Sequence, residues 1–277
     1  MNITQTVWHG WLKRPYRLHK AIDQGRVQDP PVIFLHGLGR SASVWDGMAD
    51  TVSDKHIRMV AFDLLGFGQS PKPQTIKYDV DDHARAVIKS IQGMRLGRPV
   101  VIVGHSMGCL VAVRVARLKP KLVQHLVLYE MPLYAGLPDK RIYKMRLNVY
   151  FKLYEKIIDY KPIFSGQGRG RAQKLAEKIT GFAINNETWK PFIRSLKHTI
   201  MEQQTNLDIK ELQLPMDIIY GSRDRLVIRG QTKEIFGDDV LNVTAHTIRE
   251  NHRISPRANI FIWQRIEAAV QTPLQQK

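Results

Sequence analysis

The sequence predicts an α/β fold, in which a helical segment is inserted into a mostly parallel, doubly wound sheet. Short β-branched apolar runs at 32–35, 57–62 and 100–103 are typical of strands buried on both faces. These runs alternate with amphipathic stretches of helical period, which favours parallel strands joined by right-handed crossovers. The chain has 277 residues, of which 43% are hydrophobic and 24% charged, and is long enough for one large domain with an insertion.

The first half of the chain predicts a regular alternation of strands and helices. Residues 6–18 alternate loosely between apolar and polar and predict an edge hairpin. Residues 41–50 predict a short helix, for which Ser41 and Ser43 are candidate caps. A longer helix is predicted at 79–96, where acidic residues complement the positive helix end. The remaining elements are a strand at 100–103, a helix at 109–118 and a strand at 123–129.

The alternation stops between about residues 133 and 212, where no buried strand is evident. This segment is rich in Lys and Arg. We therefore divide the chain into an α/β core, formed by residues 1–132 and 213–277, and a helical cap, formed by residues 133–212. The helices predicted within the cap lie at 140–160, 171–182 and 188–202.

Strands return after the insertion. Residues 217–220 and 243–248 predict two of them, with a short helix at 231–236 between them. Ser255 is a candidate N-cap of a last helix, and Pro256 would lie in its first turn. Because the carboxyl ends of parallel strands meet at one edge of a sheet, polar side chains that follow these strands are candidates for a shared site.

A serine stands at the sharpest predicted turn. Gly104, Ser106 and Gly108 form a G-x-S-x-G pattern directly between a buried strand and a helix. Such a turn requires glycines where a Cβ would collide with neighbouring backbone. The Ser106 hydroxyl would then lie at the helix N-terminus, where free N–H groups favour developing negative charge. The pattern predicts a nucleophilic serine.

A serine nucleophile requires a base to take its proton and a carboxylate to orient the base. His252 follows the predicted strand at 243–248, and Asp224 follows the predicted strand at 217–220. The candidate triad is therefore Ser106, His252 and Asp224. Glu130, which follows the predicted strand at 123–129, is the alternative acid.

Together these motifs resemble the α/β-hydrolase fold family, in its serine esterase and lipase-like branch with a helical cap. The resemblance covers nearly all of the predicted core, and the order of serine, acid and histidine along the chain agrees with it. The motifs that carry it are His36-Gly37 after a strand, the loop from Asp63 to Ser70, the GHSMG elbow, the turn from Gly221 to Asp224, and His252.

The resemblance implies an oxyanion hole formed by the backbone N–H groups of Leu38 and Met107. Gly37 and Gly39 would let the backbone of Leu38 approach the substrate closely. The aromatic residues of the cap have two interpretations, as lining of a substrate pocket or as the core of the cap itself. The candidate pocket residues are His36, Met131, Phe151 and Trp189, and His36 is also expected to hydrogen-bond within the oxyanion loop.

The sequence therefore predicts a serine hydrolase that cleaves a carboxylic ester or a related acyl bond of a small molecule through an acyl-enzyme. No metal and no organic cofactor are expected. Two alternatives remain: a C–C bond hydrolase of diketone-like ring-cleavage products, and a non-catalytic ligand receptor on the same fold.

The net charge of +17 is unusual. The basic residues are spread along the chain, which favours a solvated basic surface, with weak association with anionic lipid surfaces as the alternative. No nucleic-acid-binding module is recognisable, so no nucleic acid is expected. Cys109 is the single cysteine, and the first residues lack the order of a signal peptide. We therefore expect a cytoplasmic location.

Overall fold

A computed structural model of the chain describes residues 15–50, 56–134, 136, 139–159, 185–224, 226–228 and 242–271. Seven strands in this part of the chain form one sheet: β1 (Lys20–Gln24), β2 (Pro31–Leu35), β3 (Arg58–Phe62), β4 (Val100–His105), β5 (Val123–Tyr129), β6 (Met216–Gly221) and β7 (Val243–Ile248). Their order across the sheet is β1-β3-β2-β4-β5-β6-β7. β1 is antiparallel to β3, and all other neighbouring strands are parallel. The α/β fold class is confirmed.

Helices cover both faces of the sheet. The described helices are α1 (Asp46–Ala49, after a 3-10 turn at Ala42–Trp45), α2 (Val80–Gly93), α3 (Met107–Leu118), α4 (Arg141–Ile158), α5 (Asn186–Ser195, continued by a π-helical turn at Leu196–Met201), α6 (Thr205–Glu211) and α7 (Pro256–Gln271). Residues of α2 and α3 pack on one face of the sheet, and residues of α1 and α7 pack on the other.

The central strands are apolar at every position because both of their faces are covered. In β2, Ile33 and Leu35 belong to the core beneath α2 and α3, while Val32 and Phe34 belong to the core beneath α1 and α7. All four side chains are fully buried. This packing fixes the parallel strands rigidly, so their carboxyl ends hold the loops that follow them along one edge of the sheet.

The edge strand lies later in the chain than the sequence predicts. The predicted hairpin at 6–18 includes residues 6–14, which lie outside the described residues, and residues 15–18 are not in a strand. The observed strand is β1, in which four of five side chains are exposed. It is held by backbone pairing with β3 and by an ion pair between Arg58 and Asp23 at 2.8 Å. Because most of its side chains are exposed, this edge strand lacks the apolar pattern from which a strand is predicted.

The serine N-caps predicted for the first and the last helix have different outcomes in the structure. The prediction that Ser41 caps the first helix is wrong, because its Oγ lies 2.8 Å from the Oγ of Ser43 and makes no cap hydrogen bond. The carboxylate of Asp63 instead accepts from the backbone N–H of Ala42 at 2.8 Å. The predicted cap of the last helix is present, since Ser255 Oγ accepts from the Ala258 N–H at 3.1 Å.

The inserted segment is helical where the structure describes it. Predicted helices at 140–160 and 188–202 correspond to α4 and to α5 with its π turn, whereas those at 171–182 and 231–236 lie outside the described residues. Helix α6 was not predicted. It packs on α3, where Arg114 pairs with Asp81 at 2.5 Å and with Asp208 at 2.9 Å. None of the described helices combines the length and the apolar character needed to cross a membrane.

Candidate active site

Ser106 occupies a strained turn between β4 and α3. Its backbone has φ 52° and ψ −120°, a left-handed conformation that non-glycine residues rarely adopt. The backbone N–H of Ser106 donates to the Tyr129 carbonyl at 3.0 Å, and its own carbonyl accepts from the Cys109 N–H at 2.9 Å. These bonds hold the turn, so the hydroxyl is presented at the N-terminus of α3.

The glycines on either side of Ser106 make the turn sterically possible. A Cβ on Gly104 would lie 2.7 Å from the backbone of Cys109, and a Cβ on Gly108 would overlap the carbonyl oxygen of Leu35. Both obstacles are backbone atoms of the sheet or of the helix, which cannot move aside easily. The G-x-S-x-G spacing is therefore a packing requirement of this turn.

Replacing Gly108 by alanine is expected to lower the free energy of unfolding by about 3 kcal/mol, because the new methyl group collides with β2. The intrinsic helix preference for alanine over glycine is about 1 kcal/mol in the opposite direction. A lower free energy of unfolding in the variant can therefore be attributed to the collision. Urea unfolding followed by circular dichroism measures the effect.

Gly47→Ala is the matched control for this substitution. In α1 the added Cβ would come no closer than 3.2 Å to a heavy atom, the amide nitrogen at the end of the Asn259 side chain. We expect its free energy of unfolding to stay within about 1 kcal/mol of the wild type. Equal stabilities of the two variants would show that the Gly108 turn is not closely packed.

His252 joins Ser106 to Asp224 in one hydrogen-bonded series. Its Nε2 lies 3.1 Å from Ser106 Oγ, and its Nδ1 lies 2.6 Å from Asp224 Oδ2. A carboxylate only accepts, so the imidazole proton belongs on Nδ1 and Nε2 is left to accept from the serine hydroxyl. The three residues follow β4, β6 and β7, and the structure brings them together as the sequence predicts.

Asp224 is held as a carboxylate. Its side chain is fully shielded from solvent, and burial alone would raise its pKa. The hydrogen bond and positive partial charge of His252 outweigh burial and lower the pKa below its ordinary value. The backbone N–H of Leu226 also donates to Asp224 Oδ1 at 2.6 Å. The ionised carboxylate, which accepts hydrogen bonds from both His252 and Leu226, fixes the ring orientation of His252.

Glu130, the alternative acid, lies beside Asp224 but does not take its place. Its backbone has φ 53°, its side chain is fully buried, and its Oε1 accepts from the Gly221 N–H at 2.6 Å. A hydrogen bond with Glu130 also helps to lower the pKa of Asp224. Ligand atoms of Glu130, Asp224 and His252 lie within 4.8 Å of one another, a spacing that could hold a metal ion. The bonds to His252 and Gly221 already use this set, so we assign no metal to it.

Two residues outside the triad fix the loop that carries His252. His105 Nε2 donates to the backbone carbonyl of His252 at 2.8 Å, and the Tyr129 hydroxyl donates to the carbonyl of Asn251 at 2.9 Å. Burial lowers the pKa of His105 to about 3, so this imidazole stays neutral. This contact joins residues 147 positions apart, so no local sequence pattern reveals it.

His36 supports the loop that carries Leu38. Its Nδ1 donates to the Gly37 carbonyl at 2.8 Å, and its Nε2 accepts from the Leu64 N–H at 2.8 Å. Burial lowers the pKa of His36 to about 4, so the ring is neutral. Leu38 lines the cavity described next, and Met107 is the first residue of α3. Met107 is next to Ser106 in the chain, and a Cβ on Gly37, the residue before Leu38, would lie 3.0 Å from Ser106 Cβ.

A cavity of about 890 Å³ opens onto Ser106 and His252. Core loops supply one side of it, including Leu38, Arg40 and Arg253. The inserted segment supplies an apolar side, whose lining residues are Val149, Tyr150, Leu153, Tyr154 and Ile157 from α4 and Phe192, Leu196 and Ile200 from α5 and its π turn. The site therefore combines a nucleophile with a mainly apolar chamber.

The four predicted pocket residues lie behind the cavity wall rather than in it. His36 and Met131 are fully buried in the core. Phe151 packs against Tyr134, with ring centroids 6.0 Å apart, and Trp189 stacks on Phe192 at 6.0 Å. Neighbours of these residues line the cavity instead. The interpretation that the aromatic residues form the core of the insertion is the better one for Phe151 and Trp189.

Comparison with known proteins gives both sequence relatives and structural neighbours. The chain is 35% identical over 109 residues to a protein named probable lysophospholipase BODYGUARD 4 from Arabidopsis thaliana, a match over 38% of this chain and 26% of that protein. It is 24% identical over 224 residues to lipase 3 of Moraxella sp., covering 77% of this chain and 68% of the lipase. The chain thus spans about a quarter of the length of the first relative.

An epoxide hydrolase of Bacillus megaterium has a similar solved structure, with a TM-score of 0.68, 18% identity, and coverage of 92% of this chain and 97% of that one. This likeness concerns the fold. The family model described as alpha/beta hydrolase fold matches residues 30–250. The matched region contains the elbow, Asp224 and six of the seven strands. The chain belongs to the α/β-hydrolase fold family.

Proposed function

We propose that the protein is a serine hydrolase that cleaves a carboxylic ester through an acyl-enzyme intermediate. The observation that carries this proposal is the series of hydrogen bonds from Asp224 through His252 to Ser106, which ends at a cavity large enough for a small-molecule ester. A serine hydroxyl becomes nucleophilic when a neutral imidazole accepts its proton. The position of Asp224 favours the required imidazole tautomer.

Each step of the reaction has a group in place. Ser106 Oγ attacks the ester carbonyl while His252 Nε2 takes its proton, and the same nitrogen then returns the proton to the departing alkoxide. Water repeats the sequence on the acyl-enzyme and releases the acid. The N–H groups of Leu38 and Met107 would hold the negative carbonyl oxygen, and such donors typically contribute about 3 kcal/mol each to stabilisation of the transition state.

The residues of the inserted segment that line the cavity favour a substrate with an apolar acyl group. Residues 133–212 would act as a cap whose inner side, formed by α4 and the turn after α5, packs against the acyl chain. Burying apolar surface of the substrate there stabilises the bound state by about 25 cal/mol per Å². The names of the relatives, lysophospholipase and lipase, are consistent with such a substrate.

A substrate panel tests the proposal against both alternatives. Esters of p-nitrophenol with acyl chains from acetyl to dodecanoyl should be hydrolysed, with kcat/KM rising as the chain fills the apolar side of the cavity. A C–C bond hydrolase would prefer a diketone-like substrate over every ester. A receptor would bind the ligands tightly and release no burst of p-nitrophenol.

A further inference from the structure

Three arginines of the core loops line the cavity, in addition to the apolar residues of the inserted segment. These are Arg40, Arg223 and Arg253. They come from the loops after β2, β6 and β7, and each is close in sequence to a residue of the proposed machinery: two residues after Leu38, one before Asp224 and one after His252. The charge is therefore built into the same loops that present the reacting groups.

Two of these cations, Arg40 and Arg253, are close enough to repel each other. Burial lowers the pKa of the Arg40 guanidinium, and the positive charge of Arg253 lowers it further. The lining carboxylate on this side, Asp224, is already bonded to His252 and to the N–H of Leu226. Within the described part of the chain, the guanidinium groups of Arg223 and Arg253 have no ion pair or hydrogen bond. An anion beside Arg253 would offset the repulsion between its charge and that of Arg40.

We infer that Arg40, Arg223 and Arg253 form an anion subsite for the leaving alcohol of the ester, and that this alcohol carries a phosphate group. The inference rests on the serine hydrolase function proposed above and names its substrate class: an ester with an apolar acyl chain and a phosphate-bearing alcohol.

The direction of binding follows from the division of the cavity. The acyl chain belongs against the apolar residues of α4 and of the turn after α5, so the alcohol is directed toward the core loops. His252 must deliver its proton to the oxygen of that alcohol, and Arg253 is the next residue. Guanidinium groups match the oxygens of a phosphate with charge-assisted, bidentate hydrogen bonds. In the reaction the acyl C–O bond breaks, water supplies the new acid oxygen, and the phosphate is unchanged.

The test compares two esters that differ only in the phosphate, decanoylglycerol and decanoylglycerol phosphate, at concentrations where both are monomeric. The wild type should have the higher kcat/KM for the phosphate ester. In Arg223→Gln and in Arg253→Gln the ratio of kcat/KM for the phosphate ester to that for the neutral ester should fall about tenfold. Glycerol phosphate, the product, should inhibit competitively, and each variant should raise its inhibition constant by a similar factor.

Arg257→Gln is the matched control. Arg257 is exposed in the first turn of α7 and does not line the cavity, so its replacement removes the same charge without touching the subsite. We expect both the ratio and the inhibition constant to stay at the wild-type values. If Arg257→Gln lowers the ratio as much as Arg253→Gln does, the effect comes from net charge and the subsite is refuted.

Two further results would overturn the inference. One is a ratio that does not change in Arg223→Gln or Arg253→Gln. The other is a ratio that changes only when the esters are embedded in vesicles containing anionic lipid, since the arginines would then serve a membrane surface. The proposed function is tested separately by Ser106-dependent hydrolysis of p-nitrophenyl decanoate, which has no phosphate. This activity should be observed even if the subsite is refuted.

Discussion

Ser106→Ala is expected to lower kcat for p-nitrophenyl esters by a factor of about 10⁵, while the protein remains folded. The hydroxyl is the nucleophile of the proposed reaction, and no other side chain in the turn can replace it, because His105 is turned to the His252 carbonyl. Residual hydrolysis would come from the oxyanion donors and from binding alone. Steady-state kinetics and circular dichroism give the two measurements.

The stability of this variant can be anticipated from the backbone. The left-handed conformation at position 106 disfavours serine and alanine alike, so the strain is nearly unchanged by the substitution. Ser43→Ala is the matched control, because Ser43 is exposed and its hydroxyl lies 2.8 Å from that of Ser41, away from the triad. It should keep wild-type turnover. A fluorophosphonate should label the wild type and Ser43→Ala at one site and leave Ser106→Ala unlabelled. Substantial turnover by Ser106→Ala would contradict the proposed mechanism.

The residues that sequence reasoning identified share one property: they follow buried strands directly. Ser106, Asp224 and His252 each lie within four residues of the end of β4, β6 or β7. A parallel sheet brings such positions together whatever the intervening chain does. The long stretch of chain between β5 and β6 therefore does not affect where these residues meet.

The cavity wall could not be predicted in the same way, because it depends on the rotation of a helix about its axis. Tyr150 lines the cavity and Phe151, the next residue, does not, although the rings of both lie near Tyr134, with centroids 6.1 Å and 6.0 Å away. Successive side chains point about 100° apart on a helix. An error of one position therefore replaces a side chain that lines the cavity by one that does not. Aromatic composition alone does not determine which of two adjacent rings faces the substrate.

The prediction made from the net charge was also incomplete. The sequence shows a net charge of +17 spread along the chain, which suggested a solvated surface. Arg40, Arg223 and Arg253 are distant in sequence, and only the meeting of the loops after β2, β6 and β7 brings them to one cavity. The edge strand β1 and the short helix α6 were missed for a related reason. Tertiary pairing with β3 and α3, rather than local pattern, forms them.

Asp224→Asn is expected to lower kcat by a factor of about 10³–10⁴, and this prediction separates the two candidate acids. An asparagine at 224 can donate its amide N–H to Nδ1 of His252, which favours the tautomer that has the proton on Nε2. That tautomer cannot accept the proton of Ser106. The loss should therefore be in kcat, with little change in KM, and the rate of fluorophosphonate labelling of Ser106 should fall in parallel.

Glu130→Gln is the matched isosteric variant. A glutamine at 130 retains an oxygen that accepts from the Gly221 N–H and an amide that donates to Asp224, so we expect kcat to fall by less than about tenfold. Both substitutions replace one of two neighbouring buried carboxyl groups by an amide, and they differ in whether the bond to Nδ1 of His252 is lost. If Glu130→Gln loses more activity than Asp224→Asn, the acid of the reaction is Glu130. The 2.6 Å bond between Asp224 and His252 would then serve to hold the loop rather than to orient the base.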